Sequence, residues 1–547
     1  MNGMKKLIGW ILVLSVVFGC FGAAAEKPDT IVCSECGKEY PYDTEAVFCD
    51  SCGTILRQEM NVHPYEGMGF DTPEDAVLCY LAGLKNRSLA QMLSAFAWET
   101  QADHYDFKAR LTRIKGINVS GVPGMPAANS LLRSANTEQI RNYQINLICR
   151  ALEYYINDEL FSAPGSMLPF NEDDNDFEEY LQRCDNGKLE KLAAMKNIRF
   201  FGPDDVTAGR FSEEKNQENF TKQNAQYGSD EVRAVFAAAD IADETYAVAP
   251  TVVRYGDRWF LADLSSMITL MWGIELNNTA FFRIPDYLKE ELESLTPCLS
   301  VTDMPSPADT VRYEGDGFSS PEGAVLCYVN GLKNGNVQQM LQAFAWETQA
   351  DRYSLADYVD WYKALMYTSP VRMQPAGLFE REINTGALRY EQSRKICSSI
   401  LHYVLEDEEQ FRELPEDRWI ALNEEQDVDA FIRAFDNDKA DRLKKLKRIQ
   451  LIDPATVIER YDEDSVRKRM DALKRIYGAD ELKEILVAAD MYSETLVADP
   501  ILARYGDRWY FVSVEGSAFF ILGMSSSMQG FVTVKGDFDL FLQLYQP

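Results

Sequence analysis

Histidine is almost missing from this chain: in 547 residues there are only His63, His104 and His402. When the two halves of the chain are aligned, His104 falls opposite Arg352 and His402 opposite Tyr154. A general base shared by both halves is therefore not a histidine. Basic residues are also scarce. Fifty-five Lys and Arg stand against 86 Asp and Glu, a net charge of −31 that becomes −33 if Lys5 and Lys6 leave with an N-terminal signal. Such an acidic surface repels phosphate backbones and anionic headgroups, which excludes nucleic acid as a partner. Nor does any residue set amount to a reaction, so no catalytic residue is assigned.

What is present is a duplication. Residues 69–103, GFDTPEDAVLCYLAGLKNRSLAQMLSAFAWETQAD, return at 317–351 as GFSSPEGAVLCYVNGLKNGNVQQMLQAFAWETQAD. In the first copy Thr72 can cap a helix, Pro73 suits its first position, and Glu74 and Asp75 suit the positive end of its dipole. Ala76, Cys79, Tyr80, Gly83 and Leu84 then form one apolar stripe, and Leu89, Met92, Leu93, Phe96 and Ala97 a second. The unit is predicted to be a helical hairpin with one apolar face. Its partner is sought in the β-rich runs near 232–264 and 485–514, each ending in a hairpin whose turn is Gly256-Asp257 or Gly506-Asp507. Between hairpin and strands lies a mostly helical middle, with stripes at Ile145, Ile148, Cys149, Leu152 and Ile156 and at Ile396, Cys397, Ile400 and Val404.

The N-terminal 25 residues have the charge and apolar order of a secretory signal. Three fates stay open: cleavage after the small residues near Ala25, lipidation of Cys20 in a lipobox-like VFGC, or retention of Leu7–Ala25 as an anchor. The mature chain is expected to work outside the cytoplasm. Next come Cys33, Cys36, Cys49 and Cys52, two CxxC knuckles twelve residues apart, each followed by Gly37 or Gly53. Four thiolates at this spacing can close a tetrahedral structural zinc site; the competing readings are two disulfides or a redox CxxC. The segment resembles the zinc-ribbon family.

The helix entry at 72–98, the strands at 245–264 and their copies at 320–346 and 495–514 resemble the NTF2-like superfamily. That resemblance implies a small α+β cone of helices packed on a curved antiparallel sheet. Together with the ribbon, the chain resembles bacterial surface proteins that join a zinc ribbon to such modules. The expected layout is a signal peptide or anchor at 1–25, a zinc ribbon at 30–57, a first repeat at 64–295 with a helical insertion, a linker at 296–311 and a second such repeat at 312–547.

FAWETQAD and RYGDRW are the longest identities between the copies. One reading puts Glu99 and Asp103 at a pocket mouth roofed by Trp98, with Glu347, Asp351 and Trp346 as their copies. The other puts Trp98 in the core and pairs Glu99 or Asp103 with Arg254 or Arg258, and their copies with Arg504 or Arg508. Cys79 and Cys149 lie on apolar stripes as far apart as Cys327 and Cys397, which suggests one disulfide per copy or buried free thiols. The leading expectation is a non-enzymatic, membrane-tethered binding protein of the cell envelope with an unknown ligand or protein partner. An NTF2-like isomerase or hydrolase using carboxylates, and a structural spacer, are the alternatives.

Overall fold

The computed structural model describes residues 30–41, 48–49, 51–54 and 56, then 66–110, 129–157, 186–207, 213–274, 279–302, 314–365, 378–405, 433, 435–457, 462–491, 493–518, 530–536 and 538–545. The expected signal or anchor at 1–25, with Cys20, lies outside them. The chain forms two compact units, residues 1–58 and 59–547. The first is small: strands Thr30–Val32 and Glu39–Pro41 pair antiparallel, and Tyr40 packs with Cys33 and Cys49.

The second unit is mixed α+β and carries the same elements twice. Helix Pro73–Asn86 begins where Thr72 accepts a hydrogen bond from the Asp75 N–H, and its copy Pro321–Asn334 where Ser320 accepts one from Gly323. Short helices Leu89–Leu93 and Val337–Leu341 follow, capped by Ser88 and Asn336. The hairpin closes tightly because Gly83 faces the Met92 backbone, where an added Cβ would lie 2.6 Å from its nitrogen; Gly331 stands in the same relation to Met340.

Each hairpin docks on the strands expected for it. Phe70 and Trp259 exchange backbone hydrogen bonds of 2.9 and 2.8 Å, and Leu261 donates to the Ala95 carbonyl at 2.9 Å. In the second copy Phe318 and Trp509 bond reciprocally, and Phe511 donates to Ala343 at 2.8 Å. The sheets are sharply bent. Strand Glu231–Ala234 runs on into Phe236–Ile241, and Glu244–Val248 into Thr251–Tyr255, while at the bend Val235 donates to the Pro250 carbonyl at 3.1 Å. Ile485 and Pro500 do the same at 3.2 Å. A proline tolerates this position because a bend has a ladder N–H to spare.

Part of the stretch read as a linker is not a spacer. Leu299–Val301 is a strand, antiparallel to Lys196–Phe201 at the edge of the first copy's sheet. Nor do the copies stand apart. Helices Ser130–Asn157 and Ser130's counterpart helix Leu378–Leu405 pack on each other, and the contacts come in symmetry-related pairs. Cys149 Sγ meets the Ile383 carbonyl at 3.9 Å and Cys397 Sγ the Ala135 carbonyl at 3.8 Å.

Of the two states open to them, disulfides within copies or free thiols, Cys79, Cys149, Cys327 and Cys397 take the second. Cys79 and Cys327 look into their own hairpins, toward the Gln91 and Gln339 carbonyls, while Cys149 and Cys397 face the opposite copy. The stripes that suggested a disulfide are real, but they turn in different directions. Burial raises the Cys149 and Cys327 thiols to about 12, which favours their protonated form.

Candidate metal centre and the duplicated acid motif

In the N-terminal unit each knuckle is folded by its own backbone. Cys33 donates to the Lys38 carbonyl and Gly37 to the Cys33 carbonyl; Cys49 donates to Thr54 and Gly53 to Cys49. Gly37 and Gly53 have φ of 72° and 73°, a conformation that glycine adopts without strain. The four Sγ atoms lie within 4.8 Å of one another, with Cys33–Cys52 at 3.5 Å and Cys36–Cys49 at 3.4 Å. Those gaps are far above a disulfide bond and close to the edge of about 3.8 Å that a tetrahedron with metal–sulfur bonds of about 2.3 Å requires. Cys33, Cys36, Cys49 and Cys52 can therefore hold a metal ion.

The surroundings favour thiolate at Cys33 and Cys49. Burial raises the Cys49 thiol, but the Tyr40 hydroxyl at 3.2 Å and the Ser51 N–H outweigh it and bring it to about 6. Burial likewise opposes ionisation of Cys33, and the N–H groups of Cys36 and Glu35 overcome it. Backbone at Lys38 favours the Cys36 thiolate, yet sharing with the Cys49 sulfur carries it up to about 12.

The acid motif follows the second reading in placing Trp98 in the core and departs from it in the ion pairs. Trp98 is buried and stacked on Phe96 at 4.5 Å, and the Arg141 guanidinium from the long helix covers it at 5.6 Å. Trp346, Phe344 and Arg389 repeat this at 4.7 and 5.5 Å. The tryptophan is thus enclosed core and roofs no mouth.

Asp103 pairs with Arg133, and Asp351 with Arg381 at 2.5 Å, all four partly exposed. Both arginines belong to the long helices, along which helix Glu99–His104 and its copy lie, while His104 and Arg352 at their ends touch Tyr255 and Tyr505 of the sheets. Arg254 bonds instead to Glu231 at 3.3 Å and the Gly256 carbonyl at 2.7 Å; Arg504 does so with Glu481 and Gly506. Arg258 reaches Asp71 and the Gly69 carbonyl. In the second copy Ser319 stands where Asp71 would be, and Arg508 lies 3.9 Å from Asp507. Glu99 is half-buried and its carboxyl is raised by burial and by the Glu66 charge. Glu347 also lies at the start of its helix, Glu347–Arg352.

Several important residues escaped the sequence reading. Glu66 accepts from the Thr100 N–H and hydroxyl at 2.9 and 2.5 Å, and Glu314 from Thr348 at 2.8 and 2.6 Å. The repeated YEGxGF just upstream of each hairpin was a signal for them. Gln101 and Gln349, inside the repeated motif, are buried with amide atoms that have no hydrogen-bond partner among the described residues: both ends of Gln101 and Nε2 of Gln349. Deeper still, Glu138 meets Arg389 across the helix pair at 3.5 Å with both side chains enclosed. Burial pushes Glu138 up to about 8 and Arg389 down to about 9, each toward its neutral form.

No family model matches the chain, and no curated protein matches it. Among solved structures it is similar to a cystatin-like protein from Ruminococcus gnavus, at 14% identity over 86% of this chain and 94% of that one, with a TM-score of 0.46. At that level the likeness decides neither fold nor function.

The purified chain is expected to bind a soft divalent metal at one equivalent, and Cys49→Ser to release it; elemental analysis finding no metal alongside two S–S bonds by mass would refute the site. A second expectation concerns pH. Glu138 has a folded pKa above its unfolded value, so it binds its proton more tightly in the folded chain. Its stabilising effect is full below about 4.3 and is lost as pH rises through about 8. Urea titrations should therefore show the wild type losing stability across that window and Glu138→Gln losing less.

Proposed function

We propose that this is a non-enzymatic, membrane-tethered protein working outside the cytoplasm, in which a structural zinc ribbon precedes two NTF2-like modules that bind an envelope ligand or protein. Zinc is the favoured metal because four thiolates fill a tetrahedron and leave no position for water or substrate. The NTF2-like reading draws support from the bent antiparallel sheet and the capped helical hairpin, present twice. Export draws support from the N-terminal sequence alone. No helix among the described residues is long and apolar enough to cross a membrane, so the tether would be residues 1–25 or a lipid on Cys20.

The observation that carries the non-enzymatic reading is the pairing of Asp103 with Arg133 and of Asp351 with Arg381. A carboxylate that ends on a guanidinium at the surface is a poor general base, and both copies made the same pairing. The enclosed amides of Gln101 and Gln349 fit a binding module better, since a buried polar group that lacks a partner costs about 1–3 kcal/mol until something satisfies it.

Two experiments test this. Asp103→Asn and Asp351→Asn should each lower stability by up to about 1 kcal/mol, as exposed ion pairs do. A clear gain in stability would instead mark acids held against repulsion for catalysis and overturn the reading. Separately, residues 1–58 fused to alkaline phosphatase should give active enzyme in bacteria; an inactive, full-length cytoplasmic fusion would remove the export half.

A further inference from the structure

The two copies differ at one sheet edge. In the first, Lys196–Phe201 is covered by Leu299–Val301, with Leu299 opposite Phe200 and Val301 opposite Ile198. In the second, the corresponding strand Arg448–Ile452 pairs on one side with Leu486–Asp490, and among the described residues no strand lies on its other side. Phe200 is buried; its counterpart Leu451 is only half-buried.

Edge strands are ordinarily blunted by a bulge, a proline, an outward lysine or a covering element. Lys196–Phe201 has both a cover and a register shift, whereas Arg448–Ile452 pairs in five unbroken steps and contains neither lysine nor proline.

We propose that this open edge pairs antiparallel with the same edge of a second copy of the chain, about a two-fold axis at Gln450. The sequence KRIQLID is self-complementary in that register. Lys447 falls opposite Asp453 of the second copy, Ile449 opposite its Leu451, and Gln450 opposite Gln450. Opposite charges and apolar pairs placed directly across from each other each stabilise an antiparallel ladder. The geometry also covers the half-buried Leu451 with an isoleucine, as Leu299–Val301 covers Phe200.

Charge supports this occupant. In a chain of net charge −31, Lys444, Lys445, Lys447 and Arg448 form a basic island at one end of the strand, and exposed Asp453 stands at the other. Lys445 and Lys447 have no ion-pair partner among the described residues, whereas Lys444 is held by Asp441 and Arg448 by Asp490 and Asp539. A two-fold axis brings each island to the other copy's acid. The interface is isologous and closes at two copies, because the equivalent edge of the first repeat is already filled. A single short ladder predicts a weak, concentration-dependent dimer.

Sedimentation of the full chain from low micromolar to near-millimolar concentration tests the proposal. The expected result is a monomer–dimer equilibrium that Lys447→Asp weakens at least about tenfold, Asp453→Lys weakens likewise, and the two substitutions together restore. Asp453 also caps a helix through the Ala455 N–H. Thermal unfolding of each variant therefore separates lost pairing from lost folding. Gln450→Cys copies should cross-link through residue 450 on mild oxidation, since residues opposite each other across a ladder lie within reach of a disulfide. A monomer at every concentration, a dimer indifferent to the charge swap, or cross-links that avoid position 450 would each overturn it.

Discussion

The two long helices constrain everything else in residues 59–547. Along Ser130–Asn157 a run of polar residues, Asn136, Thr137, Glu138, Arg141, Asn142 and Gln144 among them, is buried. A hydrophobic partner could not cover such a face without stranding its donors and acceptors. The face it meets on the duplicate is polar too, with Asn384, Thr385, Arg389, Gln392 and Ser393 enclosed at its side and Arg389 reaching Glu138 across the pair, while both amide ends of Asn136 and Asn142 have no hydrogen-bond partner among the described residues. Gly386 lets the two approach: a Cβ there would lie 2.8 Å from both Ile145 Cγ2 and Leu89 Cδ2. Its counterpart by alignment is Glu138, so one helix gives up its side chain where the other brings in a carboxylate. The two halves are therefore one folded body, and the acid motifs are fixed by it, since Asp103 and Asp351 end on arginines of these same helices.

This explains what the sequence could and could not disclose. Capping residues, stripes and turn glycines act within a few positions of themselves, so the helical hairpins, the Gly256 and Gly506 turns and the metal-binding knuckles were legible. Partners across the fold were not. Nothing local distinguishes Arg133 from Arg254 as the partner of Asp103; the choice follows from helix Glu99–His104 lying along the long helix. The choice between disulfides and free thiols was illegible for the same reason. Equal spacing of Cys79–Cys149 and Cys327–Cys397 reports the duplication, which is a fact about ancestry, and says nothing of which way each stripe turns. Glu66 and Glu314 were within reach of a local reading, because a carboxylate just upstream of a repeated helix start is a natural acceptor for its first N–H groups.

The copies then diverged in a way that physics limits. At the helix position where the first copy has buried Leu147, the second has Lys395, fully enclosed and paired with Glu515 at 2.8 Å and Glu391 at 3.5 Å. Burial presses the Lys395 pKa down, but the two carboxylates outweigh it and keep the ammonium charged. The first copy has Ser265 and Tyr143 at those partner positions. A lysine introduced alone there would be a buried unpaired charge, which costs several kcal/mol, so these three positions are coupled and could not drift singly.

A second exchange follows the same rule. Ala234 of the first copy corresponds to Glu484, whose carboxylate accepts from the N–H groups of Ser517 and Ala518 and from the Ser517 hydroxyl, with Arg469 at 3.6 Å. The first copy has Met267 and Asn219 where Ser517 and Arg469 stand, so it offers that carboxylate neither the hydroxyl nor the guanidinium. One repeat therefore has an alanine- and phenylalanine-lined interior around Phe236 and Trp272, while the other places the Glu484 carboxylate where the first has buried Ala234. In both exchanges the charge of the second copy stands with partners that the first copy lacks, Glu515 and Glu391 for Lys395 and Ser517 and Arg469 for Glu484, so neither charge could be placed in the first copy alone without being buried unpaired.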